Sequence, residues 1–423
     1  MNRISGRIEV AADKSVSHRA LMISSIARGK TLVKNFLRSD DCLSTMAAMR
    51  ALGVSIDDRG TEVLIDGRGT ALTPPAGDIY AGNSGTTARL LAGILAGQNF
   101  KTIITGDASL SSRPMGRIER PLNAMGAAVK TTGGKLPVEI KGGKLRAAEY
   151  SSDIASAQVK SCVLLAGLYA NGLTTFREPR KSRDHTERML TDFGVDIRTS
   201  DGGAAGCSVT VKGPSGLASP ETIEVPGDIS SAAFFMTAAS ILPGSNITIT
   251  GVGVNPTRTG VIDVLRRMGA DITVDNPRNA GGEPVADITV KYAGLRGVDI
   301  AEAEIPLLID ELPIIAVAAC LADGPTTVTG AAELRVKETD RIKSVVGELS
   351  KMGARINELP DGFRVEGPSR LRGARVDSRG DHRMAMSLAV ASLAAEGETI
   401  VTGPECAAVS FPNFYETLAR VKS

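Results

Sequence analysis

The chain repeats itself six times, and that repetition limits the folds open to it more than any single motif does. "KSVSHRALMISSIARG" at 14–29, "NSGTTARLLAGILAG" at 83–97 and "SAQVKSCVLLAGLYANG" at 156–172 are versions of one segment. "DISSAAFFMTAASILPG" at 228–244, "DELPIIAVAACLADG" at 310–324 and "DHRMAMSLAVASLAAEG" at 381–397 are three more. Each begins with small polar or charged residues, continues as an Ala-rich apolar run and stops at glycine. That pattern predicts a capped, buried helix closed by a C-cap glycine. An alternating stretch follows every glycine, from "KTLVKNF" in the first copy to "ETIVTG" in the sixth, and predicts a strand. Five copies then end a second helix with one triplet: "LGV" at 52–54, "FGV" at 193–195, and "MGA" at 125–127, 268–270 and 352–354. A further strand comes after each. At about 70 residues the period is too long for a solenoid, so each copy is a small α/β subdomain.

The sixth copy stops at Ser423 without its triplet, while "MNRISGRIEV" stands before the first helix as orphan strand material. The N-terminal segment is therefore expected to complete the last copy's sheet. Copies one to three then form a domain over 13–228, and copies four to six, with the N-terminal strands, form another over 1–12 and 229–423. The chain crosses between them near 11–14 and near 226–228. Helix starts carry unpaired N–H groups and about half a positive charge. Six of them aimed into one cleft would make an anion site.

Several function classes fall away on composition. A net charge of +2 gives no global basic field for nucleic acid, and the absence of Trp, with five Tyr and nine Phe, leaves few stacking platforms. The five cysteines form no CxxC and point to a reduced, cytoplasmic setting. No apolar run is long enough to span a bilayer, and the N-terminus has no secretory h-region. The three histidines stand in no metal-ligand spacing, and no GxxxxGK[ST] or strand-borne GxGxxG is present. What remains is metal-free acid–base chemistry on small anions.

The helix starts supply candidates for it. They carry Lys14, Ser15 and Arg19; Asn83, Ser84, Gly85 and Thr86; Ser156, Gln158 and Lys160; Asp228, Ser230 and Ser231; Asp310 and Glu311; His382 and Arg383. The serines and aspartates are natural caps, but Lys14, Arg19 and Arg383 oppose the helix dipole and imply a bound anion. Two further segments are basic. "SLSSRPMGR" at 109–117 carries Arg113 before a proline suited to a helix's first turn. "RVKETDRIK" at 335–343 sets Lys337 and Arg341 four apart, so that they repel unless something negative lies between them. Glu338 among those cations is a candidate proton-transfer group.

"DKSVSHRA", "GNSGTTARLLAG", "SLSSRPMGR", "SAQVKS", "DELPIIAVAA", "RVKETDR" and "GDHRMAMSLA" together closely resemble the 5-enolpyruvylshikimate-3-phosphate synthase family, over Lys14 to about Pro412. The resemblance implies an α/β fold: a two-domain inside-out α/β barrel of six repeated helix–strand subunits, three per domain. It implies transfer of the enolpyruvyl group of phosphoenolpyruvate to the 5-hydroxyl of shikimate 3-phosphate, without metal or organic cofactor, by a monomer that glyphosate inhibits at the phosphoenolpyruvate site. Carried over by motif, Asp310 would be the base, Glu338 the acid toward the methylene carbon, and Lys14 a third catalytic group. Lys14, Gly85, Arg113, Arg341 and Arg383 would bind phosphoenolpyruvate. Lys14, Ser15, Arg19, Ser156, Gln158, Arg183, Asp310 and Lys337 would bind shikimate 3-phosphate, with Asn83 and His382 in support. The chain departs from many members at Ala157, at Glu333, and at Val409, where a lysine is common. UDP-N-acetylglucosamine enolpyruvyl transferase shares the fold, but it carries a reactive cysteine in the loop that here reads "DASLSSRPMGR". A nucleic-acid-handling protein of related repeats would need more charge and more aromatic surface.

Overall fold

The computed structural model describes residues 2–203 and 206–422; Met1 and Ser423, the ends of the domain expected over 1–12 and 229–423, lie outside them. Each repeated segment is a helix: Lys14–Ser25, Gly85–Ala96, Ala157–Gly167, Ile229–Ile241, Leu312–Leu321 and His382–Ala394. Five are capped by the residue before them. The side chains of Asp13, Ser84, Ser156, Asp228 and Asp381 accept from the backbone N–H of Val16, Thr87, Val159, Ser230 and Arg383. The helix Leu312–Leu321 instead has Pro313 in its first turn, where a missing N–H costs nothing.

The predicted C-caps hold in one copy only. Gly97 caps its helix, but the other five helices end before their glycine, which turns the chain toward the next strand. Gly172, at φ +116, shows why the residue is glycine there. The triplets have a sharper cause. Their glycines all have positive φ, and the residue that follows donates back to the last helical turn: Val54 to Met49 O at 3.1 Å, Ala127 to Leu122 O at 3.1 Å, Val195 to Leu190 O at 3.0 Å, Ala270 to Leu265 O at 2.9 Å and Ala354 to Leu349 O at 3.1 Å. This is a Schellman ending, and its apolar flanks are buried beside the helix.

The strands lie outside the helices. Lys135–Lys141, for example, alternates exposed and buried residues, so one face is dry and the other wet. Among the described residues five sheets have four strands, the last copy's has two, and none closes on itself. In copies two, three and five the strand directly before the central helix (Ile79–Tyr80, Glu149–Ser151, Asp299–Ile300) pairs in parallel with the strand directly after it.

Copies one and four exchange that strand, which corrects the expectation for the N-terminus. Ser5–Ile8 does not complete the last copy's sheet; it runs parallel to Asn246–Gly253 as the edge of the fourth copy's sheet. Thr222–Glu224, which leads into the fourth copy's helix, pairs instead with Arg28–Lys34 of the first. The last copy has Arg375–Asp377 beside Ile400–Thr402. The N-terminus meets the C-terminal end through a bridge from Ile4 to Lys422 and through the Asn2 amide, 2.8 Å from Leu393 O.

The chain divides into one unit of Met1–Ala11, Pro226–Asn279 and Pro284–Ser423, and another of Ala12–Val225 with Ala280–Glu283. In the first, Ile229–Ile241, Leu312–Leu321 and His382–Ala394 pack against one another, and every residue of Ile229–Ile241 is buried. In the second, Gly85–Ala96 packs on both Lys14–Ser25 and Ala157–Gly167. A Cβ at Gly93 would lie 2.2 Å from Cys162 O, so that helix pair touches backbone to backbone. Among the described residues no helix is long and apolar enough to cross a membrane.

Candidate active site

In the unit of copies one to three, side chains tie the helix starts together. Arg19 is buried; its Nε donates to Thr186 Oγ1 at 2.7 Å, and its two terminal nitrogens donate to Ser15 O and Ser161 Oγ, both at 2.9 Å. Burial pulls its guanidinium down to about 10, Glu187 and Asp13 oppose that, and Arg183 adds to it. Arg19 thus stays charged at neutral pH with a second cation near it, an arrangement that an anion would relieve. Lys14 Nζ lies 3.0 Å from Asp41 Oδ2. Lys160 is not an open cation: it has no exposed surface and meets Glu187 at 2.8 Å, Glu178 at 3.0 Å and Ser182 O at 3.1 Å. Burial opposes its charge, but the two glutamates hold its ammonium above the ordinary lysine range.

A second knot surrounds Gly85. Gln158 Oε1 accepts from Arg89 at 2.5 Å, and its Nε2 donates to Thr86 Oγ1 at 3.0 Å, joining two helix starts. Arg89 also reaches Pro114 O at 2.9 Å. Arg113 donates to Asn83 Oδ1 at 2.5 Å, and the Asn83 amide donates to Asp107 at 2.9 Å. Between the two arginines stands Gly85: a Cβ built there would lie 2.9 Å from a terminal nitrogen of Arg89 and 3.5 Å from one of Arg113. Arg113 caps the C-terminal end of the helix Ala108–Ser112, and the next helix begins at Gly116, so Pro114 lies in the link rather than in a first turn. Nothing in the sequence reading picked out Arg89. The signal was there: an arginine inside an otherwise apolar helix, four residues after Gly85 on the same face.

In the other unit the cations are enclosed by carboxylates. Arg341, 1% exposed, opens the helix Arg341–Lys351. Its Nε is 2.7 Å from Asp381 Oδ2, one terminal nitrogen is 3.0 Å from Asp310 Oδ1, and the other is 2.7 Å from Glu338 Oε2 and 3.3 Å from Asp381 Oδ1. Burial opposes the charge of this guanidinium, and the three carboxylates hold it well above the usual arginine range. "RVKETDRIK" is not one charged helix: Ala332–Val336 is a short 3-10 turn, and Lys337 to Asp340 link it to the next helix. Lys337 and Arg341 therefore do not share one helix, and the negative group that their spacing called for is present. Asp310 stands between the two cations, 3.4 Å from Lys337 Nζ and 3.0 Å from Arg341. Arg383 lies 3.4 Å from Glu311 Oε1 and 4.0 Å from Asp310 Oδ2, and His382 Nδ1 is 4.0 Å from Asp381. Asp310 and Glu338 keep side-chain exposures of 13% and 19%, so both can meet a small molecule, whereas Asp381 has none. Val409 ends the 3-10 turn Pro404–Val409. Among the described residues no group of three or more His, Cys, Asp or Glu is placed to hold a metal ion.

The family model described as EPSP synthase (3-phosphoshikimate 1-carboxyvinyltransferase) matches residues 1–418. The chain belongs to the EPSP synthase family. A 3-phosphoshikimate 1-carboxyvinyltransferase of Endomicrobium trichonymphae is 52% identical, the match covering 99% of this chain and 98% of the relative. One of Alkaliphilus metalliredigens is 51% identical over 100% and 98%. A solved EPSP synthase from Acinetobacter baumannii superposes with a TM-score of 0.88 at 46% identity, over 100% of this chain and 98% of that one. An enolpyruvyl transferase from Streptomyces tendae, NikO, is 20% identical over 99% and 95%, with a TM-score of 0.77, and shares the fold. The family's inside-out layering is what the Ala-rich segments dictate, with apolar helices inside and half-wet sheets outside.

Proposed function

We propose that the residues gathered at these helix starts carry out the family reaction: transfer of the enolpyruvyl group of phosphoenolpyruvate to the 5-hydroxyl of shikimate 3-phosphate, with release of phosphate. The observation that carries the assignment of roles is one buried guanidinium. Arg341 holds both Asp310 and Glu338, and each of those carboxylates keeps exposed surface. Two carboxylates fixed by one fork are spaced for two proton transfers in one addition.

In the addition, the 5-hydroxyl oxygen bonds to the central carbon of phosphoenolpyruvate and its proton passes to Asp310. The methylene carbon takes a proton from Glu338 and becomes a methyl group. The tetrahedral intermediate then breaks its carbon–oxygen bond to phosphate, which leaves with the proton that Asp310 had taken, while the methyl group returns a proton to Glu338 and the double bond is restored. Lys337 and Lys14 are assigned to offset the developing negative charge, and His382, 4.0 Å from Asp381, to support Arg341 through that carboxylate. Arg341 acts mainly by orienting the two carboxylates, and Arg383 is the more open of the two cations toward phosphoenolpyruvate, together with Arg113 and the gap at Gly85. Ser15, Arg19, Ser156, Gln158 and Arg183 hold shikimate 3-phosphate, with its phosphate in the field of Arg19 and Arg183. On this reading the enzyme works in the cytoplasm as a monomer on two small molecules, with no cofactor and no nucleic-acid partner. Phosphate release measured with each substrate alone and with both tests it. Release should require both, and equal turnover with UDP-N-acetylglucosamine in place of shikimate 3-phosphate would overturn the reading.

A further inference from the structure

Arg258 lies outside every motif discussed above, yet it is a charged side chain buried in the unit of copies four to six, 2% exposed. One of its terminal nitrogens is 3.0 Å from Asp228 Oδ1 and 2.6 Å from Ser230 Oγ. Asp228 caps the helix that Ser230 opens, accepting from the Ser230 backbone N–H at 2.9 Å. Ser230 Oγ is also hydrogen-bonded to Glu311 Oε1, the oxygen that Arg383 reaches at 3.4 Å. The direction of these bonds is forced. A guanidinium only donates, so Ser230 Oγ accepts from Arg258 and has a single hydrogen left to give, which goes to Glu311. Glu311, 1% exposed, therefore receives two hydrogen bonds on one oxygen, an arrangement that fixes where it points. Arg383 is thereby held between Glu311 and Asp310 rather than drawn onto Asp310 alone, which Lys337 and Arg341 already share.

We propose that Arg258 is a positioning residue for Arg383, acting through Ser230 and Glu311, so that Arg383 meets anionic phosphoenolpyruvate in one fixed geometry. The proposal rests on the reading of Arg383 as a phosphoenolpyruvate contact. Removing the hydroxyl in Ser230→Ala, or shortening the donor fork in Arg258→Lys, lets Glu311 turn and releases Arg383.

Two measurements on the full chain test this. Side-chain arginine ¹⁵N spectra, with the Arg383 Nε–H signal assigned by its loss in Arg383→Lys, should show that signal displaced in Ser230→Ala and in Arg258→Lys. Steady-state kinetics should show KM for phosphoenolpyruvate raised about tenfold in both, the loss expected for a charge-assisted hydrogen bond, with KM for shikimate 3-phosphate little changed. In an Arg383→Lys background neither substitution should add more than about twofold, because a relay that ends at Arg383 has nothing further to lose. An unmoved Arg383 signal, or a tenfold loss that persists without Arg383, overturns the relay. A displaced signal with unchanged phosphoenolpyruvate KM upholds the relay and overturns the reading of Arg383 as a substrate contact. Ser230→Ala keeps the Arg258–Asp228 pair, so it remains informative if Arg258→Lys fails to fold.

Discussion

Lowering the pH should strain this protein at His18 before it strains most other sites. His18 has no exposed surface; its Nδ1 is 2.7 Å from Thr45 Oγ1, and its Nε2 has no hydrogen-bond partner. A second proton would place a charge in a dry site already facing Lys14 and Arg19. Burial first, and then those two cations, therefore hold its pKa well below the usual histidine value. The sign follows directly. A depressed folded-state pKa means stability that is present above the unfolded value of about 6.5 and is lost as pH falls toward the folded one. Below pH 6.5 the unfolded chain takes up a proton that the folded chain refuses, at about 1.4 kcal/mol per pH unit. Between pH 7.5 and 5 the loss from one imidazole is at most about 2 kcal/mol. His18→Asn keeps a hydrogen-bonding group for Thr45 and removes the titration. Denaturant unfolding of wild type and variant at several pH values, taken as a difference so that the carboxylates cancel, should show the wild type losing more as pH falls, by at most about 2 kcal/mol. With three histidines in the chain, the imidazole ¹H signals can be assigned by single substitutions. The His18 signal should titrate well below an ordinary histidine's. A His18 titration at or above 6.5, or parallel stability profiles, would refute the reasoning.

Two further predictions concern turnover. Asp310→Asn and Glu338→Gln should each lower kcat about 100-fold or more while leaving shikimate 3-phosphate affinity, read by calorimetry, within a few-fold, since both act on protons in flight; near-normal kcat in either variant removes that residue from its role. In Gly85→Ala the new Cβ meets Arg89 at 2.9 Å, and Arg89 is fastened to Gln158 and Pro114, so its displacement should cost about 1 kcal/mol, a roughly fivefold rise in KM for phosphoenolpyruvate. The larger glyphosate should lose more than the substrate does, and equal losses would show that the gap at Gly85 does not discriminate between them.

The repeats were legible because their signals are local. A cap, an apolar run, a helix-ending triplet and an alternating strand each lie within a few residues; the C-cap glycine was the exception, capping only the helix that ends before Gly97. The exchange of edge strands was not legible. "SGRI" is short, mostly exposed and equally suited to any sheet edge, and its partner lies at Asn246–Gly253. Nothing in four residues says which of six similar sheets will take them.

The charges show the same limit from the side of function. Lys14, Arg19 and Arg383 stood out because cations oppose a helix start, and a bound anion looked necessary. The protein supplies anions of its own: Asp41 for Lys14, Glu311 for Arg383, and Glu187 and Asp13 near Arg19, while Arg341, singled out for its spacing from Lys337, has Asp310, Glu338 and Asp381. Pairing of this kind is tertiary and leaves no mark on spacing, which is also why Arg258 in "NPTRTG" passed unnoticed. Its consequence is chemical. In the cluster around Arg341, the carboxylates Asp310, Glu311, Glu338 and Asp381 are held by Lys337, Arg341 and Arg383, which fixes the candidate proton carriers in place. Around Arg19 and Gly85, Lys14, Arg19, Arg89, Arg113 and Arg183 stand among polar partners and acids that include Asp13, Asp41 and Glu187. Carboxylates held by a guanidinium suit groups that move protons, and guanidiniums held by hydrogen bonds suit groups that hold a phosphate still.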